Sequence, residues 1–272
     1  MPVQAAPLNR SLTLSRIRFF ASAALLAAAS AAQSAPVKVV VTVENLAPAG
    51  SVAVAPLHLA FNNGSFDAFD LGGVAGPAIV SVAEGGLGVA WQAAFAAADP
   101  TAVRGTIGGA LLPGASHRAS YLIDTAVNPY FTFAAMVVPS NDFFVGNDAP
   151  TAHRLFNNSG QLQISAITLQ AHDIWDAGSE VFDPAAAAFV GNNDLRSPQQ
   201  SVVAFNFAEF YGFNGLTTAA GYAFNSQLTA NSNVYRITFS AAPVPEPQTA
   251  ALMLAGLLGL GWLVRRRHGA QR

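Results

Sequence analysis

The chain has 272 residues, 52% of them hydrophobic and 10% charged, and no cysteine. Disulfides, thiolate metal sites and a cysteine nucleophile are therefore excluded together. Between Pro36 and Pro243 six basic side chains stand against fourteen acids, a net charge of −8, which excludes the basic patch that a nucleic-acid surface requires.

Residues 1–35 read as a secretory signal. Arg10, Arg16 and Arg18 form the positive region and Phe19 to Ala29 the apolar core. Small residues follow, with cleavage expected after Ala32 or Ser34. The apolar run is shorter than the roughly 20 residues of a membrane span.

From Val37 the pattern changes to period two. Val37 to Glu44 is rich in β-branched residues and reads as a strand. Val52 to Phe61 reads as a second, which Pro56 restricts to an edge or a bulge. Asn62-Asn63-Gly64-Ser65 forms a turn. Ala78 to Val82 reads as a short strand, and Ala90 to Ala98 as a short helix ended by Asp99-Pro100. Further strands are expected at Arg118 to Asp124, Phe131 to Val138, Gln161 to Gln170, Val202 to Phe207 and Val234 to Phe239. A short helix is placed near Thr151 to Phe156. About eight strands with turn residues between them predict an all-β fold, an antiparallel β-sandwich, over residues 36–243.

Two loops carry most of the chemistry. One opens at Pro139-Ser140-Asn141-Asp142-Phe143-Phe144-Val145-Gly146, the other at Asp173-Ile174-Trp175-Asp176-Ala177-Gly178-Ser179-Glu180. Each sets carboxylates beside a turn residue and large aromatics. Two readings fit. Asp142 and Asp176 are turn residues bonded to their own backbone N–H groups, or they are oxygen ligands of one hard cation, calcium. One shared ion requires the chain to return across the domain between residues 139 and 160, which is long enough to do so.

Residues 244–272 form a sorting segment. Val244-Pro245-Glu246-Pro247 precedes the apolar run Thr249 to Val264, and Arg265-Arg266-Arg267 closes it. An apolar helix ending in a basic cluster predicts a membrane span with the arginines in the cytoplasm. The segment resembles the PEP-CTERM sorting signal of Gram-negative bacteria. That resemblance implies recognition by an exosortase, cleavage near the motif, and export to the cell surface or an extracellular matrix.

The middle of the chain is similar to the spondin domain of F-spondin and mindin. The matching stretches are Val41 to Leu46, Asn63 to Asp67, Pro139 to Gly146 and Trp175 to Glu180. The animal pattern reads Pro-Ser-Pro-Asp-Trp-Phe-Val-Gly at the third and Asp-Ala-Gly-Thr-Asp at the fourth. This chain keeps the acids as Asp142, Asp176 and Glu180, but has Phe143 for the tryptophan and lacks the cysteines. The resemblance implies a β-sandwich with a bound calcium on Asp142, Asp176 and Glu180, and a structural or adhesive role.

Other chemistries are weaker. His58, His117, His153 and His172 offer no closely spaced zinc pair, and no Gly-x-Ser-x-Gly elbow or phosphate-cradling loop is present. The chain is expected not to be an enzyme. The alternatives are a carbohydrate-binding module for extracellular polysaccharide, with Trp91 or Trp175 stacking on sugar, and then a glycoside hydrolase using Asp173 and Asp176. Expected partners are the exosortase, the membrane before processing, and a polysaccharide or a surface protein.

Overall fold

In the computed structural model the described residues are 36–244 and 254–259. The expected signal segment lies outside them, as do Pro245, Glu246, Pro247, Arg265, Arg266 and Arg267. Residues 254–259 are helical. Among the described residues no helix is long and apolar enough to cross a membrane.

Among the described residues ten strands form two antiparallel sheets. The first has the order β5 (Ser116–Ile123), β1 (Val37–Asn45), β10 (Asn233–Pro243), β8 (Ala166–Gln170). The second runs β4 (Val103–Ile107), β3 (Leu57–Asn62), β6 (Tyr130–Val138), β7 (Phe143–Gly146), β9 (Trp175–Asp176), and β2 (Ala53–Val54) also pairs with β6. The predicted break at Pro56 falls between β2 and β3. In the first sheet the period-two pattern is kept: Val39, Val41 and Val43 of β1 and Ile237 and Phe239 of β10 point inward. They meet Leu57, Leu59, Phe61, Phe131 and Phe133 of the second sheet in one core. Phe131 and Phe239 touch edge to face across it, with ring centroids 4.8 Å apart.

The second sheet is covered on its other face as well. Helices α1 (Pro77–Gly85) and α2 (Val89–Ala98) lie there, burying Ile79, Val82, Trp91 and Phe95 against Ala60, Ala134 and Phe144. Burial on both faces explains why Phe131 to Val138 is apolar at every position but Thr132, since alternation appears only where one face meets water.

Four expectations are corrected. Ala78 to Val82 is not a strand but the middle of α1, started by Pro77 and stopped by Gly86 at φ +64, whose N–H bonds the carbonyls of Ser81 and Val82. Ile79, Val82 and Ala83 are buried at helical spacing, and this stripe outweighs the β-branched composition. Val202 to Phe207 forms no strand; it contributes one bridge, between Ala204 and Asp176. Residues 151 to 156 form no helix and pair through bridges at Arg154 and Phe156. Gln161 to Gln170 is a strand only from Ala166.

β1 pairs along its whole length with β10, from Val37 opposite Pro243 to Asn45 opposite Tyr235. The domain therefore begins and ends at one place, and the Val244 N–H bonds the Pro36 carbonyl at 3.0 Å.

Candidate metal centre

The two acidic loops do meet, and the chain makes the expected return across the domain between them: residues 143–155 run back along β6 until Arg154 bridges Tyr130 at its start, before β8 begins. After β6 the chain turns at Ser140, whose hydroxyl donates to the Val137 carbonyl at 2.6 Å and accepts from the Phe143 N–H at 3.0 Å. β7 then folds back beside β6. β8 belongs to the other sheet, and a 3-10 turn at Ala171–Asp173 carries the chain over to β9. β9 pairs with β7, Phe143 opposite Asp176. Asp142 and Asp176 are thus neighbours across one ladder.

Asp142 is 1% exposed. One of its oxygens, Oδ2, accepts from the Ser179 N–H at 2.7 Å, the Ser179 hydroxyl at 3.1 Å and the Glu180 N–H at 3.0 Å. The Asp176 Oδ1 accepts from the Gly178 N–H at 2.7 Å. The turn reading therefore holds for Asp176, which bonds the backbone two residues on. Asp142 instead anchors a loop 37 residues away. Gly178 is required there: its φ is +66, and a Cβ would come within 2.8 Å of Ser201 C and Val202 O.

Burial, and then the neighbouring Asp176, hold the Asp142 carboxyl well above the usual carboxylate range. Burial raises Asp176 too, against the pull of the Gly178 N–H and the Asn206 side-chain amide. A third acid joins them. The Glu209 carboxyl is pushed up to about 7 by burial, then by Asp176 and Asp142. It sits on the 3-10 segment Phe207–Phe213 and accepts from the Asn206 side-chain amide, which also reaches Asp176 Oδ2 at 3.5 Å. Phe210, next to Glu209, packs edge to face on Phe143, next to Asp142, with centroids 4.8 Å apart. Sequence reading missed Glu209 because it lies in an aromatic stretch far from both loops; the polar pair Asn206 and Glu209 inside that stretch was the available signal.

Glu180 is placed differently. Its backbone joins the site, but its carboxylate lies 3.1 Å from the Arg196 guanidinium, which also pairs with Glu84 at 3.0 Å. Residues 180 and 181 pair with the segment after Arg196, through the Glu180–Pro198 bridge and the Val181 N–H to Ser197 O bond. This holds the arginine over Glu180. Burial, and then the nearby Glu84, push the Glu180 carboxyl up to about 7 against the pull of Arg196. Among the described residues no ion pair reaches Asp142, Asp176 or Glu209, and no group of three His, Asp or Glu side chains is spaced as it stands to hold a metal.

The remaining candidates are occupied locally. Asp173 caps its own turn by accepting from the Gln170 N–H at 2.8 Å. His58 is buried between Thr106 and the Gly86 carbonyl, and burial keeps its pKa low. Trp91 is a core residue at 0% exposure.

The fold and site together define a two-sheet β domain with a buried, unneutralised acid pair. The particular relationship that can be named concerns its tail: residues 243–267 match the PEP-CTERM protein-sorting motif. The match starts where β10 ends. Such a motif marks an exported protein, held in the membrane until an exosortase processes it. No curated protein matches the chain.

Proposed function

We propose that the chain is a surface-sorted, spondin-like module in which Asp142 and Asp176 hold one calcium ion, and that its role is structural or adhesive rather than catalytic. The observation that carries this reading is the pair of neighbouring buried carboxylates, both held above the usual carboxylate range, with no ion pair to either among the described residues. Unpaired buried charge is costly, so such groups take up a proton or a counter-ion. Carboxylate oxygens are the hard donors calcium prefers, and its shell of six to eight oxygens leaves room for backbone carbonyls and water. Glu209 would close the site from the 3-10 segment, and Glu180 would join it on leaving Arg196. When bound, the ion supplies the positive charge that lets both aspartates ionise.

Two further points support the reading. Four stretches are similar to the spondin pattern and span both loops. Export places the domain where extracellular calcium modules work, with Kd of about 10⁻⁴–10⁻³ M. The partner in this reading is a matrix polysaccharide or another surface protein. Elemental analysis of the protein purified from its native host tests the ion: about one calcium per chain is expected, and none would refute it. Deleting residues 244–272 tests sorting: the chain should move from the membrane fraction to the medium, and unchanged fractionation would refute it.

A further inference from the structure

We infer that the groove over Trp175 binds a neutral polysaccharide. This rests on the reading of the chain as a surface-exported module, but does not need the calcium ion. The groove measures about 450 Å³ and lies where the end of β7, the 152–153 segment, β8 and β9 converge. That volume falls within the roughly 300–1,000 Å³ of small-ligand sites. Side chains alternate along a strand. While Asp176 turns into the acid site, Trp175 therefore faces the other way and lines the groove.

The lining has the chemistry of sugar recognition. Trp175 presents a partly buried indole to the groove, and His153 lines it too, stacked on Phe133 at 5.9 Å between ring centroids. Asp148 and Asp173 supply carboxylate oxygens, each fixed by a backbone bond: Asp148 accepts from the Leu71 N–H at 2.9 Å, Asp173 from the Gln170 N–H at 2.8 Å. A pyranose presents an apolar C–H face and a rim of hydroxyl donors. The face suits an aromatic ring, and the rim suits acceptors already held in place. Charge selects among polysaccharides. Two acids in the groove, and a domain of net charge −8, oppose an anionic polymer. A neutral hexose chain meets no such opposition.

The test uses the full chain in a detergent without a sugar headgroup, titrated calorimetrically with laminarin and dextran, a β-linked and an α-linked neutral glucan, and with alginate as the anionic control. Binding to a neutral glucan and not to alginate is expected, and it should persist in chelator. Trp175→Ala should weaken it at least tenfold. Trp175 also touches the helix-side core, so a second variant is needed: Ala152→Trp fills the groove from an exposed position and should abolish binding with unchanged melting. The inference is overturned if neither glucan binds, if Ala152→Trp binds as the wild type does, or if chelator removes binding, which would place the glycan on the ion. A calcium-independent melting temperature beside intact glucan binding would refute the ion alone.

Discussion

Asp142→Asn separates the charge of the acid pair from its hydrogen bonds. The asparagine carbonyl can still accept from the Ser179 and Glu180 N–H groups, so the loop stays anchored. What is lost is the ionised carboxylate beside Asp176. A buried carboxyl raised from 3.8 to about 6 resists ionisation by about 3 kcal/mol, at 1.36 kcal/mol for each tenfold step. Part of that resistance is desolvation, which the amide also experiences. In chelator near pH 8 the variant should therefore be more stable than wild type by about 1–3 kcal/mol, or roughly 2–10 °C in Tm for a domain of this size. In calcium the sign reverses. An ion at a hundred times its Kd stabilises the wild type by about 2.7 kcal/mol, and the variant forgoes most of it. Asp142→Ala leaves the buried donors unpaired, at about 1–3 kcal/mol each, and should be destabilised in both conditions. Thermal melting of the full chain in calcium and in chelator reads all of this. Equal Tm losses for Asp142→Asn in the two conditions would refute the reasoning.

The wild type in chelator should lose stability as pH rises from about 4 to 7. Folded Asp142 and Glu209 keep protons, up to about 6 and about 7, that the unfolded chain releases near 3.8 and 4.5, so stability is fullest below the ordinary values and is lost above; a pH-melting series that rises across this window in chelator refutes it. Arg196→Gln removes the cation beside Glu180 and should strengthen calcium binding if Glu180 enters the shell; an unchanged calcium titration would exclude that ligand. Gly178→Ala should cost at least about 1–2 kcal/mol from its left-handed backbone alone, with more from the contact at Ser201; denaturant unfolding at wild-type midpoint would contradict it. Phe95→Ala, which empties the aromatic contact of Phe66 and Trp91, should cost about 3–5 kcal/mol in the same assay, and a loss under about 1 kcal/mol would show that the helical layer contributes little.

Strands with one wet face were legible in the sequence: β1 and the inward half of β10 follow from Val39, Val41, Val43, Ile237 and Phe239. Pro56 marked its break for a backbone reason, and so did the end of the helix at Asp99-Pro100. The elements covered on both faces were harder, because burial erases the alternation. Phe143 to Gly146 is strand β7, yet its continuous apolar residues read as the tail of a loop. In Ala78 to Val82 the local β preference hid a helix that Pro77 and Gly86 delimit. At the site, the two turn sequences gave Asp142 and Asp176 their neighbourhood. Glu209 joins Asp142 and Asp176, and Glu180 turns to Arg196, through contacts between separate segments; only the polar pair Asn206 and Glu209 within an aromatic stretch hinted at the first.

The pairing of the first strand with the last sets when the domain can finish folding. β10 lies between β1 and β8, so until it arrives both of those strands carry bare edges. An exposed edge is a template for the wrong partner, and pairing across nearly the whole domain is slow to form. During export β10 is also the last element to emerge before the sorting segment, which begins at its final residue. Closure of the sheet is therefore timed to the arrival of the address label. A chain cut short before Asn233 would lack both the strand that closes the sheet and the motif that sorts the domain.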